Sequence, residues 1–247
     1  MVGLLHPGEM GSAVGAVLRS RGHDVLWASE GRSADTARRA AEPGLEDAGS
    51  VAELAARSDI VLSICPPHAA LDVAGSVSGF VGIYVDANAI SPATAREVAA
   101  RVPRYVDGGI VGGPPREPGD TRLYLAGEDA PRIAELFEGS ALEPVVLSGP
   151  VGTASAMKMV FAAWSKGSAA LLLAVRETAK AEGVEDALLE EWAQSISGLE
   201  ERSLRAARSA EKKGWRWVGE MEEIAATFEG AGQPDGFHKA AAEVFRD

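Results

Sequence analysis

The chain has a single cysteine, Cys65, in 247 residues. No internal disulfide can form, so we expect the protein to be cytoplasmic, where thiols stay reduced. Aromatic residues are also scarce, at 6% of the sequence, yet hydrophobic residues make up 46% and charged residues 24%. This composition and length are those of a globular protein that can bury a substantial core.

Basic residues and long apolar runs are scarce as well. The 24 lysines and arginines are outnumbered by 36 acidic residues, and the formal charge of -12 excludes the basic surface that nucleic-acid binding requires. The longest uninterrupted apolar run, residues 169–175, is too short to cross a bilayer. The N-terminus has no basic segment typical of a signal peptide. We therefore expect neither a nucleic-acid nor a membrane partner, and no motif predicts a metal site.

Short apolar runs alternate with amphipathic stretches through the first half of the chain. Strands are predicted at residues 2–5, 24–28, 60–65, 82–86, 105–106, 122–126 and 144–147. Helices are predicted between them at residues 11–21, 34–41, 51–56, 69–77, 93–101 and 131–137. This alternation predicts an α/β fold with a parallel, doubly wound sheet, whose last two strands are expected to pair antiparallel at its edge.

The pattern changes at residues 149–150, where a Gly-Pro pair ends the alternation. One long apolar helix is predicted at residues 153–182, followed by helices at residues 187–209, 220–229 and 238–245. Four of the five tryptophans fall here, at positions 164, 192, 215 and 217, so this segment needs a core of its own. We therefore divide the chain into an α/β domain, residues 1–148, and an all-helical C-terminal domain, residues 149–247.

The loop after the first predicted strand, residues 3–11 (GLLHPGEMG), approximates the G-x-G-x-x-G pattern of dinucleotide-binding (Rossmann-type) domains. Gly8 and Gly11 occupy the second and third glycine positions, and His6 occupies the first. The second glycine lets the backbone approach a pyrophosphate and the third packs helix on strand, so these two positions need glycine most. We expect Pro7 to hold His6 extended and Gly8 to take a positive φ in a type II turn.

The helix after this loop would face the phosphates of a bound cofactor with its N-terminal amides. The loop residues expected to contact the cofactor are His6, Pro7, Gly8, Glu9, Met10 and Gly11. The imidazole of His6 either donates to a phosphate oxygen or fills space. A tight strand-to-helix turn without a ligand is the alternative interpretation of the motif.

The end of the second predicted strand should contact the 2′ position of the cofactor. An enzyme that uses NAD places a carboxylate there, whereas this sequence has Ser29, followed by Arg32 and Ser33. A guanidinium with neighbouring hydroxyls suits a 2′-phosphate, so we expect NADP as the cofactor. Glu30 leaves two alternatives open, a carboxylate that binds the ribose hydroxyl or a solvated loop.

Across its whole length, the chain resembles the superfamily of 6-phosphogluconate dehydrogenases and 3-hydroxyacid dehydrogenases. The family's opening G-x-I-G-L-G-x-M-G resembles residues 3–11, and its strand ending in Leu-Pro resembles Cys65, Pro66 and Pro67 after Ile64. Its D-x-S-T-x-x-P segment resembles residues 86–92. The resemblance implies that Cys65, Pro66, Pro67 and Asn88 help to bind the cofactor.

Three further segments carry the same resemblance. The family's D-A-P-V-S-G-G substrate loop resembles residues 107–113, and its interdomain helix resembles residues 149–162, with Lys158 at the catalytic lysine. Residues 216–245 resemble an uncharacterised C-terminal domain of one bacterial branch, which has no agreed substrate. The resemblance implies a homodimer through the C-terminal helices and substrate contacts from Asn88, Gly112, Gly113 and His238.

The sequence departs from the family at several polar positions. The loop serine is Val111, the asparagine after the lysine is Ala162, and the histidine of phosphogluconate dehydrogenases is Phe161. The Lys-Asp pair of hydroxyacid dehydrogenases is replaced by the acidic run EMEE at residues 220–223. We therefore do not expect phosphogluconate to be the substrate.

Hydride transfer to a carbonyl requires a proton donor for the oxygen. Lys158 is flanked by apolar residues, and burial lowers the pKa of a lysine towards neutrality, so Lys158 is the expected general acid and base. A solvated or snorkelling side chain is the simpler interpretation of Lys158. Lys166, two turns on, either lines the same cleft or ends at solvent, and solvent is the favoured interpretation.

The other candidates have structural alternatives. Asn88 holds the nicotinamide, holds a substrate hydroxyl or is a turn residue. The amides of Gly112 and Gly113 bind a substrate anion or form a flexible turn. His238 reaches the cleft from the second domain or merely begins a helix. Cys65 is expected to pack against the cofactor without reacting.

Three functions follow from these patterns. The leading one is an NADP-dependent oxidoreductase that interconverts a small hydroxy acid and its oxo form, with Lys158 as general acid and base. The second is an imine reductase acting on a C=N bond of a small cationic substrate, which the glutamates at residues 220–223 would suit. The third, from another class, is a cofactor-binding sensor without turnover.

Overall fold

The computed structural model describes residues 1–246. The chain forms two compact units, Met1–Met159 and a second unit that begins at Val160. The division therefore falls inside a long helix, whereas the sequence pattern changes earlier, at residues 149–150.

The first unit is built on one eight-stranded sheet with the order β3-β2-β1-β4-β5-β6-β7-β8. Its neighbouring strands run parallel except for the antiparallel pair β6 and β7. The strands are β1 Val2–Leu5, β2 Val25–Trp27, β3 Glu46–Asp47, β4 Ile60–Ser63, β5 Ile83–Asp86, β6 Tyr105–Val111, β7 Thr121–Ala126 and β8 Leu142–Val146. This confirms the predicted α/β fold with a mostly parallel, doubly wound sheet.

The expected antiparallel pairing of the last two strands is wrong. β7 and β8 pair in parallel because the helix α6 (Ala130–Glu135) between them carries the chain back across the sheet. The reversal comes one connection earlier, where a loop at residues 112–120 joins β6 directly to β7. A direct loop of this kind can only join strands that run in opposite directions.

The helices of the first unit lie in the connections between the strands. They are α1 Glu9–Ser20, α2 Ala34–Ala41, α3 Val51–Arg57, α4 Ala70–Gly75, α5 Pro92–Ala99 and α6 Ala130–Glu135, with a short 3-10 turn at Pro67–Ala69 before α4. Ser33, Ser50 and Ser91 each accept a hydrogen bond from a backbone amide in the first turn of α2, α3 and α5. These serines are N-caps, which explains why the three helices begin where they do.

The strands are buried on both faces. Leu4, Leu62 and Val85 belong to the hydrophobic core on one side, and their neighbours Leu5 and Val61 belong to the core on the other. Successive side chains of a strand point to opposite faces, so a strand covered on both sides must be apolar at every position. This is why the strands appear in the sequence as continuous apolar runs.

The second unit is helical and has its own apolar contacts. After α7 (Thr153–Ala181), which it shares with the first unit, it contains α8 Glu185–Ser195, α9 Leu199–Gly230 and α10 Gly236–Val244. Met221 and Ile224 of α9 are buried. The rings of Trp217 and Phe245 pack edge to face, with 5.0 Å between their centroids. The predicted helix at residues 187–209 is interrupted at residues 196–198, between the end of α8 and Gly198, whose φ of 78° precedes the first turn of α9.

Helix α7 is long and apolar, and much of it is exposed. Over its most apolar 18 residues the mean hydropathy is 1.3, and 22% of that window is buried. By length and composition it is the one helix within residues 1–246 that could cross a membrane. Counting only uninterrupted apolar runs missed it, because isolated polar residues break the run without changing the average. Core and interface helices of proteins outside membranes reach the same values.

Candidate active site

The carboxyl ends of four parallel strands are aligned. Leu5 of β1 pairs in register with Ser63 of β4, Ser63 with Asp86 of β5, and Asp86 with Asp107 of β6. The segments that follow these residues therefore emerge at the same edge of the sheet. Ligands of doubly wound sheets bind at this edge, so the structure brings the predicted cofactor loops together at the expected place.

The first of these loops turns differently from the prediction. His6 has a φ of 68°, the only positive φ outside glycine in the described chain, whereas Gly8 is extended with a φ of -71°. The amide of Gly8 donates to the carbonyl oxygen of His6 at 2.7 Å, which closes the turn around Pro7. Pro7 disfavours the right-handed helical region for His6 but leaves the left-handed region available. His6 thus adopts a conformation that suits glycine, the residue that the motif has at this position.

The two glycines of the loop have different surroundings. A Cβ on Gly11 would lie 2.5 Å from the carbonyl oxygen of His6, so helix α1 packs too closely on the loop for any side chain. A Cβ on Gly8 would have no protein atom within 4 Å. Gly8 is the N-cap of α1 and makes no side-chain cap, so the first amides of this helix are available to an anion. The loop fits a pyrophosphate.

The other predicted residues of this loop contribute differently. Pro7 is buried and Met10 packs against the sheet core, so their side chains face the protein. Glu9 is exposed in the first turn of α1. The predicted cofactor contact of Met10 would therefore come from its backbone amide.

Arg32 reaches from the end of β2 to the first loop. Burial, and next the charge of Arg32, lower the pKa of His6 from 6.5 to about 4, while a contact with the Leu5 backbone opposes them. His6 is therefore neutral at pH 7. Its Nδ1 and the Nε of Arg32 are buried and have no hydrogen-bond partner within residues 1–246. The structure thus joins two residues that the sequence assigned to separate loops.

The hydroxyls of Ser29 and Ser33 are engaged within the protein. Ser29 donates to the carboxylate of Asp47, and this carboxylate also accepts from the amide of Gly49 at 2.7 Å. The Gly49 amide, and to a smaller extent Ser29, hold the pKa of Asp47 below its usual value. Ser33 accepts from the amide of Thr36 as the N-cap of α2. Of the three predicted 2′-phosphate ligands, only Arg32 has a polar group without a partner.

Asp47 is a residue that the sequence analysis missed. It ends the two-residue strand β3 and pairs in register with Trp27 of β2, so it brings a carboxylate to the end of the second strand from a neighbouring strand. Its two-residue strand is acidic and exposed, which gives no hydrophobic pattern to detect.

The side-chain amide of Asn88, predicted as a nicotinamide or substrate ligand, makes its hydrogen bonds within the protein. Its side-chain oxygen accepts from the amide of Cys65 at 2.5 Å, and its side-chain nitrogen donates to Ser63 at 3.1 Å. Only 2% of its surface is exposed, so the amide points into the protein. Asn88 therefore holds the second cofactor loop in place.

The second loop itself is short and rigid. Pro66 is extended and Pro67 opens the 3-10 turn, so the chain leaves β4 in a fixed direction. Burial, and next the charge of the nearby Asp86, raise the pKa of the Cys65 thiol to about 12. Cys65 is thus an unreactive thiol in this environment. Within residues 1–246, no three histidine, cysteine or acidic side chains are grouped as a metal site.

Strand β6 continues past the aligned ends of its parallel neighbours. Residues 107–113 were expected to be a substrate loop, but residues 107–111 belong to this strand and are buried. Glycines carry no apolar signal, which is why only two residues of the strand were predicted. Gly112 has a φ of 124°, and a Cβ there would lie 2.5 Å from the carbonyl oxygen of Asp120. Gly112 thus serves the turn, whereas Gly113 has open space around it.

Lys158 packs against the projecting part of β6. A Cβ on Gly109 would lie 2.8 Å from the Cβ of Lys158 and 2.8 Å from the carbonyl oxygen of Ala154. Lys158 is half-buried in the second turn of α7. The predicted catalytic lysine therefore lies at the same edge of the sheet as the cofactor loops.

Two predictions in the second unit are corrected by its contacts. Lys166 does not end at solvent, since its ammonium pairs with Glu220 and the two side chains are about 15% and 16% exposed. Glu222 pairs with Arg246. Glu220 and Glu222 thus each have a cationic partner within the protein, which weakens the argument that these two glutamates suit a cationic substrate.

His238 is a core residue of the second unit. The centroid of its ring lies 4.2 Å from that of the Phe228 ring. A Cβ on Gly167 would lie 3.7 Å from the imidazole. Burial lowers the pKa of His238, which favours the neutral ring. With 8% of its surface exposed, His238 packs between helices, and its contact with a substrate stays a prediction.

Known proteins share this architecture. Residues 179–247 match a family described as a domain of unknown function, DUF1932. An uncharacterised 28.5 kDa protein of Methanothermus fervidus is 31% identical over 192 residues, covering 76% of this chain and 74% of that protein. A solved protein of unknown function, described as structurally similar to 3-hydroxyacid dehydrogenases, is 30% identical with a TM-score of 0.74, over 99% of this chain and 95% of that one. The chain belongs to the 3-hydroxyacid dehydrogenase superfamily.

Other members of the superfamily are more distant. A probable mitochondrial 3-hydroxyisobutyrate dehydrogenase of Dictyostelium discoideum is 28% identical over 173 residues, covering 64% of this chain and 53% of that protein. The 3-hydroxyisobutyrate dehydrogenase of Mycobacterium tuberculosis, solved with L-serine, is 17% identical with a TM-score of 0.73, over 99% of this chain and 92% of that one. At this identity the likeness shows the fold.

Proposed function

We propose that the protein is an NADP-dependent oxidoreductase that interconverts a small hydroxy acid and its oxo form by hydride transfer. Membership of the 3-hydroxyacid dehydrogenase superfamily supports the reaction class, and the Dictyostelium relative is described as a probable 3-hydroxyisobutyrate dehydrogenase. The observation that carries the proposal is the contact between Lys158 and β6 at the edge of the sheet where the cofactor loops emerge.

The loops at this edge supply what a dinucleotide needs. The first amides of α1, beside Gly8, would hold the pyrophosphate, and Arg32 would hold the 2′-phosphate. The loop at Cys65 and Pro66 is held rigidly by Asn88 and would pack against the cofactor. When bound, the nicotinamide supplies or accepts the hydride.

Lys158 provides the proton chemistry of this proposal. In the direction of reduction, its ammonium donates a proton to the carbonyl oxygen as the carbon becomes an alcohol carbon. In the direction of oxidation, its amine accepts the hydroxyl proton. Lys158 is itself half-buried in α7, which limits its contact with water.

A turnover screen with NADPH tests the proposal. Small oxo acids should be reduced, and Lys158→Met should lower kcat by about 10²–10⁴-fold because the proton donor is lost. Methionine keeps the unbranched apolar chain of lysine, so the fold and the affinity for NADPH should be retained. Near-normal turnover by Lys158→Met would overturn the role of this lysine.

The same screen separates the alternatives. Cyclic imines are included, and turnover of imines without turnover of oxo acids would identify an imine reductase. The ion pairs of Glu220 and Glu222 leave that function without its main structural support. Tight NADPH binding without turnover of either class would identify a sensor.

We further propose a cytoplasmic homodimer that covers α7. Val160, Trp164 and Leu171 lie on one stripe of this helix and are 51%, 69% and 65% exposed. A second copy of the chain would bury these apolar side chains. Light scattering should give the mass of a dimer, and Leu171→Asp should shift it towards a monomer. Val81→Asp, at an apolar side chain 80% exposed in the first unit, is the control that should stay dimeric.

A further inference from the structure

Asp107 is a fully buried carboxylate with an unusual set of partners. It lies in β6, in register with Asp86 of β5, and has 0% of its surface exposed. Burying a carboxylate is costly unless hydrogen bonds replace its water. Burial raises the pKa of Asp107, and its hydrogen bonds act in the opposite direction.

The start of α7 donates four hydrogen bonds to this carboxylate. Its Oδ2 accepts from the amides of Gly152 at 2.9 Å, Ala154 at 2.7 Å and Ser155 at 3.2 Å. Its Oδ1 accepts from the hydroxyl of Ser155 at 2.6 Å. Asp107 is thus a carboxylate N-cap supplied by a strand that lies more than forty residues away in the sequence. A charged acceptor at a helix N-terminus binds more strongly than a serine cap because it also interacts with the helix dipole.

Gly109 adds a second point of contact on the same face of β6. It lies two residues after Asp107, so both face the same side of the sheet. The missing side chain of Gly109 admits the Cβ of Lys158 and the carbonyl oxygen of Ala154, each 2.8 Å from where a Cβ would be. The first two turns of α7 are therefore fixed on β6 at both the helix start and Lys158.

We propose that Asp107 is a positioning residue for Lys158, holding the start of α7 so that the lysine is fixed against β6 at the carboxyl edge. The inference rests on the proposed function, in which Lys158 moves the proton. Proton transfer depends steeply on geometry, and displacement by about 1 Å can cost 10²-fold in rate. Ser155, which gives two of the four hydrogen bonds, lies one turn before Lys158, so a shift at the cap reaches the lysine directly.

A double-mutant cycle with Lys158→Met tests this inference. Asp107→Asn removes the charge and disturbs the cap, and it should lower kcat by about 10–100-fold while KM and NADPH affinity change less than about 3-fold. In the Lys158→Met background, Asp107→Asn should lower kcat by less than about 3-fold, because there is no longer a lysine to position. Ser50→Ala, which removes the N-cap of α3, is the matched control and should behave alike in both backgrounds.

A spectroscopic measurement gives the same answer without turnover. In protein with ¹³C-dimethylated lysines, the Lys158 resonance should move or broaden in Asp107→Asn and stay in place in Ser50→Ala. Ser155→Ala removes one of the four hydrogen bonds and should give a smaller change in the same direction. If Asp107→Asn does not fold, Ser155→Ala takes its place in the double-mutant cycle and in the spectroscopic measurement.

The outcomes separate the inference from the proposed function. An equal loss of kcat in both backgrounds, with an unmoved Lys158 resonance, would make Asp107 a purely structural cap and overturn the inference alone. Normal turnover by Lys158→Met would overturn the role of the lysine, and the inference with it. Normal kcat in Asp107→Asn would also overturn the inference.

Discussion

The carbonyl oxygen of His6 lies 2.5 Å from the position that a Cβ on Gly11 would occupy. This close approach joins the end of the first strand to the first turn of α1. The two glycines of the loop therefore have different roles. Gly11 allows the helix to pack on the loop, whereas Gly8 faces open space. The two glycines should therefore respond differently to substitution.

Gly11→Ala should destabilise the protein. Its Cβ would meet backbone atoms of His6, which cannot move as a flexible side chain does, so the helix or the loop must shift. We expect a loss of about 1–3 kcal/mol in the free energy of unfolding, measured by urea denaturation. An unchanged midpoint would show that α1 moves away without cost.

Gly8→Val should fold normally and lose the cofactor. The extended backbone of Gly8 suits valine, and no protein atom lies within 4 Å of the added Cβ. The free energy of unfolding should change by less than about 1 kcal/mol, since only a weak cap is altered. Titration calorimetry should detect no NADPH binding, because the side chain fills the space of the phosphates. Binding within tenfold of the wild type would contradict this assignment of the loop.

His6→Gly should be mild and should alter the pH dependence of stability. Glycine adopts a φ of 68° without strain, so NADPH affinity should change less than about 3-fold. The pKa of His6 is about 4 in the folded protein against an ordinary 6.5, so the unfolded chain binds more protons between these values. Stability therefore falls as pH drops from 6.5 to 4. The fall should be shallower in His6→Gly than in the wild type, and exposed His68→Gln is the control.

Arg32 should favour NADPH over NADH, and Asp47 should favour NADH over NADPH. Arg32→Ala should weaken NADPH binding by about 10–100-fold and NADH binding far less, because it removes the cation expected at the 2′-phosphate. Asp47→Asn should favour NADPH, because it removes a carboxylate bonded to Ser29 at the end of the second strand. Dissociation constants for both cofactors are measured at one ionic strength. A preference for NADH in the wild type would refute the NADP assignment.

The ion pair of Lys166 and Glu220 should stabilise the helical unit. Both side chains are largely buried, so Lys166→Met should lower the free energy of unfolding by about 1–3 kcal/mol. Adding Glu220→Gln should cost less than it does alone, since its cation is already gone. If the double variant lost as much free energy of unfolding in urea denaturation as the two single variants together, the ion pair would contribute nothing beyond its separate residues.

Hydrophobic patterning predicted most of the architecture. β1 and α2 have the predicted bounds, because an apolar run and a serine cap are local signals. The two-residue strand β3 and residues 107–111 of β6 were missed, since acidic residues and glycines carry no apolar pattern. The direction of β8 could not be predicted from either strand alone, because it depends on which neighbour each one pairs with.

The sequence predicted the residues of the site's loops, but it did not predict the residues that hold those loops in place. The glycines, Arg32 and Lys158 were identified from motifs that have a local spacing. The functions of Asn88 and Asp107 depend on register and on helix packing, which bring together residues that are far apart in the sequence. The same holds for His6, whose left-handed backbone opposes the general preference for an extended residue before proline.

Asn88 joins two strand ends before any ligand arrives. Its amide group binds Cys65 and Ser63 through contacts made by the protein alone, so the loop between β4 and α4 is preorganised. A ligand that meets an already ordered loop loses less conformational entropy on binding. Affinity at this loop is therefore set mainly by the fit of the bound surface, and the thermodynamic signature of binding should lack a large ordering cost.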